Sequence, residues 1–121
     1  MGNMNVKPAD GKLGVLCVGL GAVTSTFMTG VLMARKGLAK PVGSMTQYDK
    51  MRVGRGENKK YLHYGEIVPL ADLKDIVFGA WDVYPANAYE SAINAEVLKE
   101  RDINPVKLMP QHRCQDSHFR W

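Results

Sequence analysis

Cysteine is scarce in this chain: Cys17 and Cys114 are the two in 121 residues, too few for the disulfide framework of a small secreted scaffold. Cys17 lies inside an apolar run, where a buried, reduced thiol is expected, so a reducing, cytoplasmic compartment fits. No heptad, G-x-y triplet or longer period recurs, which excludes coiled-coil, collagen-like and repeat architectures. Charge of one sign is only mildly in excess. Sixteen basic against 12 acidic residues leave +4, and much of that is local. Between positions 49 and 60, Lys50, Arg52, Arg55, Lys59 and Lys60 stand against Asp49 and Glu57 alone. Such a run can meet phosphates, but interrupted by Gly and Asn it reads more readily as a solvated loop. No aromatic alternates with its basic residues, so a base-stacking platform lacks its main parts and no nucleic-acid partner is expected.

Charge is missing altogether from Leu13 to Ala34, a length that would cross a bilayer. The stretch nevertheless holds Gly14, Gly19, Gly21 and Gly30 together with Thr24, Ser25, Thr26 and Thr29. These make a poor lipid-facing surface, and no membrane partner is expected. The composition, 45% hydrophobic and 23% charged, instead fits one small globular domain.

The uncharged stretch divides better into three parts. Leu13 to Val18 is short, apolar and partly β-branched, the pattern of a strand buried on both faces. Gly19-Leu20-Gly21 interrupts it, and a helix is predicted from Thr24 onward. Val23, Phe27, Val31 and Ala34 fall on one apolar stripe, and Arg35, Lys36 and Gly37 form a conventional stop. Strand, glycine turn and helix together make a dinucleotide pyrophosphate site. Gly19 lets the chain reverse, Gly21 removes a side chain that would block phosphates, and the helix start offers free amides and a favourable dipole. Thr24 stands where a third glycine is usual, and a β-turn-α unit without a ligand has the same local pattern.

The acidic residue that should follow a second strand about 20 positions on is missing, because residues 41–47 carry no acid. A candidate appears downstream. Residues 75–79, Asp-Ile-Val-Phe-Gly, read as another buried strand, and Asp82 lies just beyond its carboxyl end. Asp82 there is either a ligand residue or a capping or loop aspartate. Pro85 then opens a helix predicted over residues 86–100, with Ala88, Tyr89, Ala92, Ile93 and Val97 on its apolar face. The order strand, helix, strand, basic excursion, strand, helix predicts an α/β, Rossmann-like fold. Its mostly parallel sheet has flanking helices and is expected to be incomplete.

With these elements in place, the chain resembles the amino-terminal NAD-binding region of the inositol-3-phosphate synthase (myo-inositol-1-phosphate synthase) family, particularly its bacterial branch. The likeness rests on Gly19-Leu20-Gly21, on residues 36–41 (KGLAKP) and 43–47 (GSMTQ), and on residues 68–73 (VPLADL), 78–82 (FGAWD) and 87–90 (NAYE), in that order. It implies an isomerase that converts glucose 6-phosphate to 1D-myo-inositol 3-phosphate with NAD as a temporary hydride store. The steps are oxidation, intramolecular aldol cyclisation and reduction. It places Gly19, Gly21, Ala22, Val23 and Thr24 along the pyrophosphate and Asp82 on the adenosine ribose. The negative charge of Asp82 would disfavour a phosphorylated cofactor, with Arg52 or Arg55 as the groups able to reverse that preference. Thr46 and Gln47 belong to a family motif with no role assigned.

The resemblance covers residues 6–110, read as one NAD-binding domain within 1–110, and residues 111–121 form an unassigned tail. Many relatives carry a longer glycine-asparagine turn than Gly21-Ala22-Val23-Thr24. Members are also several times longer, with the sugar-phosphate site and the oligomerisation sheet in later segments. No catalytic residue is therefore expected in this chain, which is read as a fragment inactive alone, from a homo-oligomeric enzyme; the alternatives are a stand-alone dinucleotide-binding or regulatory module and, less readily, a small basic polyanion-binding protein. His112, Cys114 and His118 match no paired zinc-ligand spacing, so no metal is expected. His63 is read as a surface or packing residue.

Overall fold

The computed structural model describes residues 7, 10–83 and 86–106. In chain order the elements are strand β1 (Leu13–Val18), helix α1 (Ala22–Arg35), a short helix α2 (Met45–Tyr48), strands β2 (Lys50–Val53) and β3 (Lys60–His63), helix α3 (Tyr64–Ile67), strand β4 (Ile76–Trp81), and helices α4 (Ala88–Asn94) and α5 (Glu100–Ile103). Two-stranded parallel and antiparallel sheets result, β1 beside β4 and β2 beside β3. The parallel pair runs in register from Leu13 opposite Ile76 to Val18 opposite Trp81. This is the mostly parallel, incomplete sheet expected, because parallel strands need a crossover connection and α1 supplies one.

Helices cover one face of the parallel pair. Leu20, Met28, Phe78 and Ala80 form the buried cluster, with Val15, Cys17, Val31, Ile76 and Ala88 packed on it. Period-two alternation sends Leu16 and Val18 to the opposite face with Val77 and Trp81. All four are exposed, Leu16 at 72%. The expectation of a strand buried on both faces is therefore corrected: the apolar residues are present, but the described chain has no layer to set against half of them. Cys17 is a free thiol of intermediate burial rather than a buried one.

Helix α1 departs from its predicted face. It begins at Ala22, two residues early, and buries Ser25, Met28, Thr29 and Leu32, whereas Val23 is 85% exposed and Phe27 about half exposed. Helix α1 packs on α4 and α5, and the Ser25 hydroxyl donates to the carbonyl of Ala22, which satisfies its polarity inside the helix. At its end Arg35 closes the fold. Its Nε donates to the Leu73 carbonyl and its Nη2 to the Ile76 carbonyl, while the guanidinium lies 5.9 Å from the Phe78 ring centroid. The Lys36 ammonium donates to the Pro105 carbonyl, beside the buried Ile103 and Val106.

Everything between α1 and β4 is an excursion from the β-α-β unit. Residues 41–47, where a second strand was placed, hold a turn in which the Ser44 amide donates to the Pro41 carbonyl, followed by α2. Pro41 and Gly43 weaken strand pairing there. The basic run is not a solvated loop. It folds as a hairpin with Lys50 opposite His63 and Val53 opposite Lys60. Gly54, at φ +90°, turns the hairpin so tightly that a Cβ would stand 2.4 Å from the Asn58 carbonyl oxygen. Gly54→Ala is therefore expected to loosen the hairpin by about 2 kcal/mol or more. Amide exchange should check this: the β2 and β3 amides accelerate at least roughly tenfold and those of β1 and β4 keep their rates.

The carboxyl-terminal helix also differs from expectation. Asn87 caps α4 reciprocally with Glu90, its side chain accepting from the Glu90 amide at 2.9 Å and its own amide donating back to the Glu90 carboxylate at 3.0 Å. The helix ends at Asn94 and Glu96 takes a left-handed φ of +53°, so the run predicted over 86–100 is broken in two. Pro85 and the 111–121 tail lie outside the described residues.

Candidate functional site

Both parallel strands end at the same edge of the sheet, and the chain turns there twice. The Gly19 amide donates to the Trp81 carbonyl at 2.8 Å, carrying the pairing one residue past β1. Gly19 then adopts φ +88°, a conformation that costs an L side chain about 1–2 kcal/mol. Leu20 drops into the core at 3% exposure, which aims its amide at Asp82: the Leu20 N–H donates to Asp82 Oδ2 at 2.5 Å. Gly21 is extended and stands at the N-cap of α1, with no side-chain cap and no acid in the first turn.

Ser25 is the first residue of the helix ladder, its amide donating to the Gly21 carbonyl at 3.0 Å. Ala22, Val23 and Thr24 precede it, so their amides belong to the group that a helix start leaves without intrahelical acceptors. At both Gly19 and Gly21 no atom stands within 4 Å of where a Cβ would be. An uncapped N-terminus of a 14-residue helix, with no acid in its own first turn and, among the described residues, room beside Gly19 and Gly21, suits a diphosphate. The residues present thus fit the group that the glycine turn implies.

Topology resolves the missing acid. In a dinucleotide-binding β-α-β unit the carboxylate follows the strand reached directly through the first helix. Here that neighbouring strand is β4, and Asp82 follows Trp81, its last residue. Asp82 thus stands where such an acid would, separated from α1 by residues 36–75. Gly19, Gly21, Ala22, Val23, Thr24 and Asp82 are therefore gathered at one edge although Asp82 lies 62 positions from Leu20. The bond from the buried Leu20 amide to Asp82 was not anticipated. The signal for it was an acid directly after an apolar run of strand length.

Other singled-out residues lie elsewhere. Arg52 is in β2 and Arg55 beside it, in the excursion rather than on the unit that carries Asp82. Thr46 and Gln47 sit on α2, which packs against α3 and β3. His63 caps α3, its amide donating to Glu66 Oε2 at 2.7 Å, and is exposed. His112, Cys114 and His118 lie outside the described residues. Among the described residues no group of His, Cys, Asp or Glu is arranged to hold a metal, and no helix is long and apolar enough to cross a membrane. The Lys74 ammonium is pushed up by its hydrogen bond to Asp72 and by the charges of Asp72 and Asp75, but this pair is solvent-exposed and away from the glycine turn.

Comparison with known proteins agrees with this fold. The NAD-binding family model described as myo-inositol-1-phosphate synthase matches residues 13–114. Inositol-3-phosphate synthase 1 of Bacteroides thetaiotaomicron is 57% identical over 103 residues, covering 84% of this chain and 23% of that protein. Inositol-3-phosphate synthase 1 of Oryza sativa subsp. japonica is 34% identical over 113 residues, covering 84% of this chain and 22% of its own length. The crystal structure of inositol-3-phosphate synthase from Caenorhabditis elegans superposes with a TM-score of 0.68 at 24% identity, covering 83% of this chain and 22% of that one, a likeness of fold. The chain spans less than a quarter of the length of these relatives. With the family match running from the first strand through the glycine turn and past Asp82, the chain belongs to the myo-inositol-1-phosphate synthase family, over its NAD-binding region.

Proposed function

We propose that this chain is the cofactor-binding part of an inositol-3-phosphate synthase, which converts glucose 6-phosphate to 1D-myo-inositol 3-phosphate. The observation that carries the reading is the Asp82 carboxylate docked on the Leu20 amide within the glycine turn, at the carboxyl edge of two parallel strands. NAD, when bound, supplies a reversible hydride store for such an isomerisation. The chain's own part is to bind and orient. The amides of Ala22, Val23 and Thr24 receive the pyrophosphate, Gly19 and Gly21 keep its approach clear, and Asp82 accepts from the adenosine ribose hydroxyls. No catalytic residue is assigned here. The sugar-phosphate chemistry belongs to the remainder of a full-length member, and the chain alone is inactive in this reading.

A cytoplasmic homo-oligomer completes it. Among the described residues nothing covers the apolar face bearing Leu16, Val18, Val77 and Trp81 or pairs with the outer edges of β1 and β4, which supports association. Sedimentation of the 121-residue chain is expected to show species larger than monomer, and a monomer at all concentrations would remove the homo-oligomer from the reading.

Thermal unfolding with and without NAD tests the binding assignment. Cofactor at about 100 times its Kd stabilises by about 2.7 kcal/mol, enough to raise the Tm of so small a domain by about 10 °C. Gly21→Ala is the discriminating variant. Its φ of −83° suits alanine and no atom crowds the new methyl, so the Tm without NAD should stay within a few degrees. The NAD-induced rise should shrink by more than half, because the methyl projects where phosphate approaches the backbone. A full rise in Gly21→Ala would move the pyrophosphate away from this turn.

A further inference from the structure

The excursion carries charge that the nucleotide edge does not use. Strand pairing sorts the hairpin into two faces: Lys50, Arg52, Tyr61 and His63 share one, and Met51, Val53, Lys60 and Leu62 the other. Leu62 is half-buried, on the side where β3 meets α2 and α3. On the first face Arg52 stands directly opposite Tyr61, which is 63% exposed. Lys50 and Arg52 are two residues apart on one strand, about 7 Å, and Arg55 and Lys59 flank the turn at the tip. All of these side chains are exposed. Among the described residues none of the five Lys and Arg side chains from Lys50 to Lys60 joins an ion pair, and Glu57 is the one acid between them.

The position of the hairpin separates it from the cofactor edge. Arg35, in the last turn of α1, donates to the Leu73 carbonyl and to Ile76, the first residue of β4. Both ends of the excursion are thus tied to the amino-terminal edge of the parallel strands, opposite Gly19 and Asp82. An exposed two-stranded ribbon whose main neighbours among the described residues are α2 and α3 suits an extended polyanion better than a small phosphate. A tyrosine set among the cations adds a stacking surface that charge alone does not need. The aromatic comes from the partner strand, so alternation along one strand does not display it.

We propose that the β2–β3 hairpin binds single-stranded nucleic acid, with Lys50, Arg52, Arg55 and Lys59 along the phosphates and Tyr61 stacked on a base. The test is fluorescence anisotropy of the 121-residue chain with a labelled oligothymidylate of roughly 15 nucleotides. Inorganic polyphosphate serves as a base-free competitor, and phosphatidylserine vesicles as an alternative surface. Binding should weaken with salt at a log–log slope of about −3, from four or five phosphate contacts. Arg52→Gln should lower the slope by about 0.7. Tyr61→Leu should weaken oligonucleotide binding roughly 5- to 100-fold while leaving polyphosphate binding unchanged, and Tyr61→Phe should retain it. The NAD-induced Tm rise, kept in all three variants, shows that each is folded. Absence of oligonucleotide binding by the unaltered chain overturns the proposal, as does binding indifferent to the Tyr61 ring. Capture by vesicles alone overturns it too.

Discussion

Replacing Asp82 with alanine is expected to abolish most of the stabilisation by NAD and to destabilise the chain without it. The two effects have separate causes. The Leu20 amide faces Asp82 Oδ2 at 2.5 Å beside the core, and removing its acceptor leaves a partly buried donor unsatisfied, at a cost of about 1–3 kcal/mol. The ribose contacts proposed for Asp82 would vanish at the same time, and hydrogen bonds to a charged group are each worth about 1.5–3 kcal/mol, so affinity should fall by roughly tenfold to a hundredfold or more. Asp82→Asn separates the two. Its amide oxygen can still accept from Leu20, so the Tm without cofactor should stay close to that of the unaltered chain. Its lost charge and second acceptor should still weaken NAD binding. Calorimetric titration of both variants decides the matter. Equal affinity in Asp82→Asn and the unaltered chain would leave Asp82 a structural support for the turn and nothing more.

Phe78→Ala should carry the largest stability effect in the molecule. Phe78 is 2% exposed and meets the Phe27 ring edge-on at 5.5 Å and 87°. It also lies beneath the Arg35 guanidinium. Truncation of a buried phenylalanine costs about 3–5 kcal/mol, a large share of the roughly 5–15 kcal/mol that holds a domain folded. Urea unfolding is expected to lose its cooperative transition or to shift to a midpoint less than half the original. Phe27→Ala, at a half-exposed position on the same contact, should cost less than half as much. Comparable losses in the two would mean that the edge-on ring contact, rather than burial, dominates.

The sequence was most informative where glycine and β-branched residues act together. Leu13 to Val18, the turn Gly19-Leu20-Gly21 and the strand before Asp82 were all legible, because a buried strand followed by glycines leaves few alternatives. The buried side of α1 was not. Hydrophobicity alone points to Val23 and Phe27, whereas Ser25 and Thr29 are buried on a helix that packs against α4 and α5. The second strand of the β-α-β unit was sought too early, since counting 20 residues assumes a short connection and this chain inserts residues 36–75. The break after Asn94 was hidden for another reason: Glu96 adopts a left-handed conformation usually reserved for glycine or asparagine. The six candidate site residues were named from the glycine pattern and the family likeness. The bond between Leu20 and Asp82 that brings the two halves together depends on a register no local pattern encodes.

The Arg35 tie has a consequence for how the molecule opens. By holding Leu73 and Ile76 against the end of α1, it makes residues 36–75 a ring closed at its base. The hairpin can unzip and reform without either parallel strand learning of it. Native-state exchange should resolve two cooperative units: a costly one containing β1, α1 and β4, and a cheaper one containing β2 and β3. Variation inside the ring, in length or charge, is then insulated from the cofactor edge. A change at Arg35 would couple the two, letting fluctuations of the outer arm reach the strand that ends at Asp82.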